Sequence, residues 1–303
     1  MEVPLKPKHG LVVGIVLVVL AVCAYLVFGG GDAPAELTLG ERADVAEEGE
    51  DGVEEDTGPA VTAPAAKISN VLGCNLPPRV TEAAFSVADV AVHRLSVVEG
   101  SIAGYRVVED FIGGLANVDA VGRTTAVQGD LFLMSGFNWS PVDDDPATTT
   151  APPNPELTGA WICVDVASIK SDKGSRDNRF RTEIMDTANF PVATFITGVG
   201  VSSADGMGIP FSRYLDSDIP DGEAATFSIP GWLTMVGKEV KVRASVTIQR
   251  AAEPHDYEFV AQIPVVFSDF GIDNPSNSIV SVRDEGLIEV SLTFAWNPAH
   301  HLP

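Results

Sequence analysis

Positive charge is what this chain has least of: 19 lysines and arginines stand against 42 aspartates and glutamates, a formal net charge of −23 over 303 residues. Such a polyanion has no electrostatic basis for seeking phosphate backbones, so nucleic acid is excluded as a partner. Histidine is also scarce. Of the five, His9 precedes a long apolar run, His300 and His301 stand near the last residue, and only His93 and His255 fall within the patterned region. Both read as surface or strand residues before they read as bases or ligands. The motifs that organise nucleophilic, metal-assisted or phosphoryl-transfer chemistry are missing as well: there is no G-x-S-x-G, H-E-x-x-H, Walker loop or C-x-x-C. No catalytic residue, cofactor or metal site is expected. The nearest approach to a calcium loop, Asp216-x-Asp218-x-x-Asp221-Gly222-Glu223, has its third acid one position late with Pro220 in its place, which reads as an acidic turn.

Cysteine is limited to Cys23, Cys74 and Cys163. Cys23 sits inside the apolar run and reads as a membrane-buried thiol. Cys74 and Cys163 would lie beyond the membrane, where disulfides persist. Two readings stay open for them: a bridge pinning the end of a linker to a strand, or two unpaired thiols.

The one long hydrophobic run, Leu11 to Phe28, follows a short segment with Lys6 and Lys8. Eighteen residues of helix at 1.5 Å each span about 27 Å, close to the roughly 30 Å of a bilayer core. A transmembrane helix over 11–31 is expected, with residues 1–10 as a cytoplasmic tail and the rest exported, because lysines precede the run and acids follow it. A cleaved signal peptide is the rival reading. Residues 32–79 open with an acidic, low-complexity tract almost free of large apolar side chains, which reads as a disordered linker. The expected localisation is the cell membrane, single-pass, with the C-terminal domain extracytoplasmic.

From about residue 80 to 297 the pattern alternates. Ile102 to Val108, Thr124 to Met134, Val192 to Val199, Val240 to Ile248, Phe259 to Phe267 and Ile288 to Trp296 are bounded by Gly, Pro, Asp or Asn and read as antiparallel strands with one wet face. Between Trp161 and Phe195 the period changes once. Ile162, Val164 and Val166 alternate, then Phe180, Ile184 and Ala188 recur at four-residue spacing, and Pro191 ends the helical stretch. One short helix, Arg176 to Thr187, set into an all-β domain suits a barrel of about eight strands closed at one end. A two-sheet sandwich fits the alternation equally well.

The same stretch resembles a known family. Asp165-x-x-Ser168-x-x-Ser171-Asp172, Arg176-Asp177 and Asn189-Phe190-Pro191 with Ala193-Thr194-Phe195 are similar to the signature of YceI-like proteins, bacterial exported domains related to polyisoprenoid-binding proteins. Ala103-Gly104-Tyr105-Arg106-Val107, Val121-Gly122-Arg123-Thr124, Leu233-Thr234 with Gly237, and Asp269-Phe270-Gly271-Ile272 extend the match in order. The resemblance implies an antiparallel, lipocalin-like barrel that holds a long apolar lipid of isoprenoid, quinone or fatty-acyl type, without catalysis. A stalked structural or adhesion domain with a filled interior is the alternative, and a hydrolase-type enzyme the least favoured. Strand parity and aromatic content nominate Tyr105, Phe190, Phe195, Trp232 and Phe267 as ligand contacts. Arg123 and Arg176 are added as matched family positions, while Arg176 and Asp177 are also expected to cap the helix or pair with each other. Small residues at Gly104, Gly129 and Gly198 are expected to leave room for the ligand.

Overall fold

The computed structural model describes residues 33–43, 69–75, 92–111, 117–134, 156–202, 208–209, 213–214, 218–219, 222–251, 256–276 and 280–296. The apolar run from Leu11 to Phe28, most of the acidic tract, and the acids Asp216 and Asp221 lie outside them. Among the described residues no helix is long and apolar enough to cross a membrane.

The strands are β1 (Val92–Val97), β2 (Ile102–Phe111), β3 (Asn117–Thr124), β4 (Val127–Met134), β5 (Glu156–Asp165), β6 (Lys170–Ser171), β7 (Val192–Ser202), β8 (Gly208–Ile209), β9 (Arg213–Tyr214), β10 (Ala224–Met235), β11 (Lys238–Arg250), β12 (Tyr257–Val266) and β13 (Val280–Trp296). Every pairing is antiparallel, and β1, β4, β5, β7, β10, β11, β12 and β13 close into a ring of eight through the β13–β1 contact. It is an all-β barrel with one short helix.

Several of these strands are segments of one path. β1 and β2 both run along β13, which continues past the kink at residues 98–101, where Val98 donates to the Thr293 carbonyl. β3 and β4 follow β2 and β1 in nearly the same register, with Ala103 opposite Thr124 and Ser96 opposite Asp130. The chain is therefore an up-and-down meander of eight long strands, each beside its sequence neighbour. The expected strands are present, and the structure adds β1, β3 and β10 together with the two-residue β6, β8 and β9. Pro230 and Gly231 interrupt β10, which weakens its strand signal in the sequence. Pro230 is still paired, opposite Arg243, and its carbonyl accepts from Thr197 Oγ1 at 2.6 Å.

The barrel has two unlike ends. Around Leu95, Leu133, Leu157, Ile248, Phe259 and Phe294 the interior is filled and buried, with Phe259 and Phe294 edge to face at 4.9 Å. At the other end, among the described residues, β3 pairs on its side away from β2 through Gly122–Ser171 and Arg123–Lys170. There the chain turns into α1 (Gly174–Arg179), which runs on as one π-helical segment, Phe180–Ile184. This is the expected helix, begun two residues earlier and ended sooner.

The outer face is less wet than alternation implies. Glu289, Ser291 and Thr293 point outward from β13, yet all are buried, because residues 33–43 lie across them as a strap. Ser291 Oγ reaches the carbonyls of Thr38 (3.0 Å) and Glu41 (2.9 Å), Arg106 donates to Pro34 O at 2.8 Å, and Arg123 reaches Glu41 at 3.3 Å and the carbonyl of Ala35. The expectation of a disordered linker is thus corrected for residues 33–43 and 69–75. Leu37 in the first of these segments and Val71 in the second are buried, and the barrel supplies partners for their backbones.

Residues 69–75 continue the cover over the neighbouring strands β1, β4 and β5, where Ser69 bonds to Val97 and Val127. Cys74 is bridged to Cys163, with Cα atoms 5.8 Å apart, and Val71, Phe132, Trp161 and Ile196 pack around the bond. Of the two readings left open for these cysteines, the disulfide is the one the structure has.

Candidate functional site

The hollow end holds a cavity of about 180 Å³. Its wall is almost wholly apolar: Tyr105 and Val107 from β2, Ile162 and Val164 from β5, Phe195 from β7, Leu233 and Met235 from β10, Ile263 and Val265 from β12, and Ile288 from β13. Phe180, Ile184 and Met185 enter from the helix, and Phe267 and Ile272 from the turn after β12. Charge is confined to Glu109, Arg176 and Arg179.

Local chemistry sets the helix against this wall. Asp165 accepts from the Ala167 amide at 2.9 Å, and Ser168 Oγ lies 2.6 Å from Thr124 Oγ1, which fixes the corner after β5. Asp177 accepts from the amide and hydroxyl of Ser171 at 2.8 and 2.7 Å and so ties the first turn of the helix to β6. Arg176 pairs with Glu109 at 3.2 Å and with Asp172. The expectation that Arg176 and Asp177 pair with each other is therefore corrected; each is held by a different neighbour. Burial weighs against the Arg176 cation, but Glu109 and then Asp172 more than offset it, and its pKa is raised. Tyr105 stacks on Phe180 with ring centroids 4.9 Å apart, and burial pushes its phenol well up from the ordinary value against the pull of Arg176. With every charge at the cavity already paired, the arrangement suits an uncharged, apolar guest.

Four of the seven nominated residues meet here: Tyr105, Phe195, Phe267 and Arg176 line the cavity. Three lie elsewhere. Trp232 points out of β10 into the cluster around the disulfide, with Lys241 Nζ 6.0 Å from its ring centroid, because its inward neighbours are Gly231 and Leu233. Arg123 points out of β3 and holds the strap. Phe190 lies against the turn at Gly237, where a Cβ would come within 2.6 Å of its ring. The helical pair Phe180 and Ile184 was legible as a buried stripe in the sequence, although nothing there aimed it at a cavity.

Of the three glycines expected to leave room, Gly104 lines the cavity, and the other two act differently. A Cβ on Gly129 would come within 2.4 Å of the Trp161 carbonyl, and Gly198 holds a positive φ of 115°, so neither opens the cavity. They are positions of close strand approach and of backbone bending. The ring of Phe195 instead occupies the space beside Gly231, whose Cβ would meet it at 2.2 Å, and Tyr105 does the same at Gly122 at 2.5 Å. Glycine here seats the aromatic wall.

Residues 115–294 match the family model for the YceI-like domain. The chain belongs to this family. No curated protein matches the sequence significantly. Among solved structures this YceI-like chain is similar to a polyisoprenoid binding domain from Saccharophagus degradans implicated in plant cell wall breakdown, at 13% identity over 68% of this chain and 99% of that one, TM-score 0.46. It is also similar to Burkholderia cenocepacia BcnA, at 19% identity over 62% and 95% of the two chains, TM-score 0.36. For a Campylobacter jejuni YCEI protein the figures are 14%, 54% and 79%, TM-score 0.30.

Proposed function

We propose that this YceI-like domain binds an uncharged apolar lipid in the hollow end of its barrel and carries or senses it outside the cytoplasm, without catalysis. The observation that carries this reading is the contrast within one barrel between a packed end and an apolar cavity of about 180 Å³. A fold that needed only stability would fill both ends, since apolar voids forfeit packing contacts. A 150 Å³ cavity takes a molecule the size of benzene, so this one encloses roughly one isoprene unit or the end of an acyl chain. That length is worth about 3–4 kcal/mol at roughly 0.8 kcal/mol for each buried CH2. A longer chain would trail out past the helix or widen the hollow end to enter.

The location is proposed on two supports. Leu11 to Phe28 is long enough to anchor the chain in a membrane with the barrel exported, and the Cys74–Cys163 bond suits an oxidising compartment. Extraction of the purified domain with organic solvent, followed by mass spectrometry, tests the binding reading. A stoichiometric apolar lipid is expected. A lipid-free domain that takes up none from vesicles would replace it with a stalked structural domain.

A further inference from the structure

We infer that the hollow rim of the barrel is the face turned toward the lipid bilayer, so that the cavity stands over the membrane in which the chain is anchored; this rests on the anchor reading above. The argument starts from where the strap begins. Pro34 is held by Arg106 and Ala35 by Arg123, both at the level of the cavity residues Gly104 and Tyr105. From there the strap runs away from the hollow end, with Ala43 donating to the Gly100 carbonyl at 2.9 Å. Its membrane-side terminus is therefore the one near the cavity.

Only five peptide steps separate Phe28, the last residue of the apolar run, from Ala33. Fully extended they reach about 18 Å. The hollow rim at Phe111 lies five residues beyond Arg106 along β2, while the filled rim at Val92 lies about twelve strand residues the other way when counted along the partner strand β13. At about 3.3 Å per residue and a tilt of 35–45°, those are roughly 13 and 30 Å along the barrel axis. The link is long enough to let the hollow rim meet the bilayer surface and too short to let the filled rim do so. The exposed surface agrees in part. Val266, an exposed large apolar side chain, ends β12 at the hollow rim, whereas Leu72, also exposed, lies beside Ala43 and Gly100 where the strap ends. The strong net negative charge gives the domain no attraction of its own for anionic lipid, so the short tether supplies the proximity.

The test uses the full chain in phosphatidylcholine vesicles bearing a nitroxide on the headgroup. A fluorescent amino acid replaces either Asp273, beside the cavity residue Ile272, or Glu223, next to the filled-end pair Ala224–Gln249; both positions are exposed. At least threefold stronger quenching is expected at Asp273. Inserting twenty Gly and Ser residues after Gly31, which adds a root-mean-square reach of about 25 Å, is expected to erase the difference. Chains that float with the vesicles but quench equally at both positions, or more at Glu223, overturn the orientation and leave the anchor standing, as they would for a barrel lying on its side. A difference that survives the spacer overturns the role of the tether. Chains that do not float overturn the anchor reading, and the orientation with it.

Discussion

The two ends of this barrel are built from the same eight strands and the same alternation, yet one is core and the other is a cavity. At the filled end several strands contribute large side chains, such as Leu95, Leu133, Ile248 and Phe294, and these are buried in one cluster. At the hollow end Ala103, Ala120 and Ala193 take inward positions, and the aromatic rings of Tyr105 and Phe195 sit against the wall where Cβ atoms on Gly122 and Gly231 would be. The helix then covers what the strands leave open. Emptiness here comes from rings laid against the wall, which is why it cannot be counted from the number of small residues.

The largest expected effect acts on both ends alike. Replacing Cys74 and Cys163 with alanine opens a link across 89 residues and should cost about 4–5 kcal/mol of stability on the chain-entropy model. Denaturant unfolding with and without the bridge measures it; a cost below about 1 kcal/mol would mean that packing around Trp161 holds this flank without the bond. Next, the ends should separate. Phe294→Ala at the filled end should lose about 3–5 kcal/mol, whereas Phe195→Ala should lose clearly less, since one side of its ring already faces empty space. Equal losses in chemical denaturation would erase the distinction between core and cavity.

Filling the cavity sharpens the comparison from the other side. Ala193→Phe should cost less than about 1 kcal/mol because space is available, while the lipid recovered by solvent extraction falls at least tenfold. Unchanged lipid recovery in a folded variant would place the ligand elsewhere. The smallest effect belongs to the strap. Ser291→Ala removes a hydroxyl that serves the carbonyls of Thr38 and Glu41 and should lower stability by about 0.5–1.5 kcal/mol. It should also speed proteolysis near residue 38, and a strap that stays equally protected would show that Arg106 and Arg123 suffice to hold it.

How much of the site was legible follows from these contrasts. Tyr105, Phe195, Phe267 and Arg176 lie where parity and family position put them, but Trp232 does not, because parity could not be counted through Pro230 and Gly231 without the register of β10 on β11. Arg123 sits on the outer face by its own alternation with Ala120 and Gly122, and only the strap gives it a partner.

Alternation of period two, turn residues at regular spacing and a single change to period four between Arg176 and Ala188 determined antiparallel strands carrying one helix, and the barrel was what the family resemblance of the ordered motifs implied. These are local signals, and local geometry is what they encode. Which end is hollow, which face of β13 lies under residues 33–43, and that Cys74 meets Cys163 were decided by contacts between residues far apart in the chain. Such contacts depend on the register in which the ring closes and on which side chains then share a volume, and neither leaves a periodic trace in the sequence.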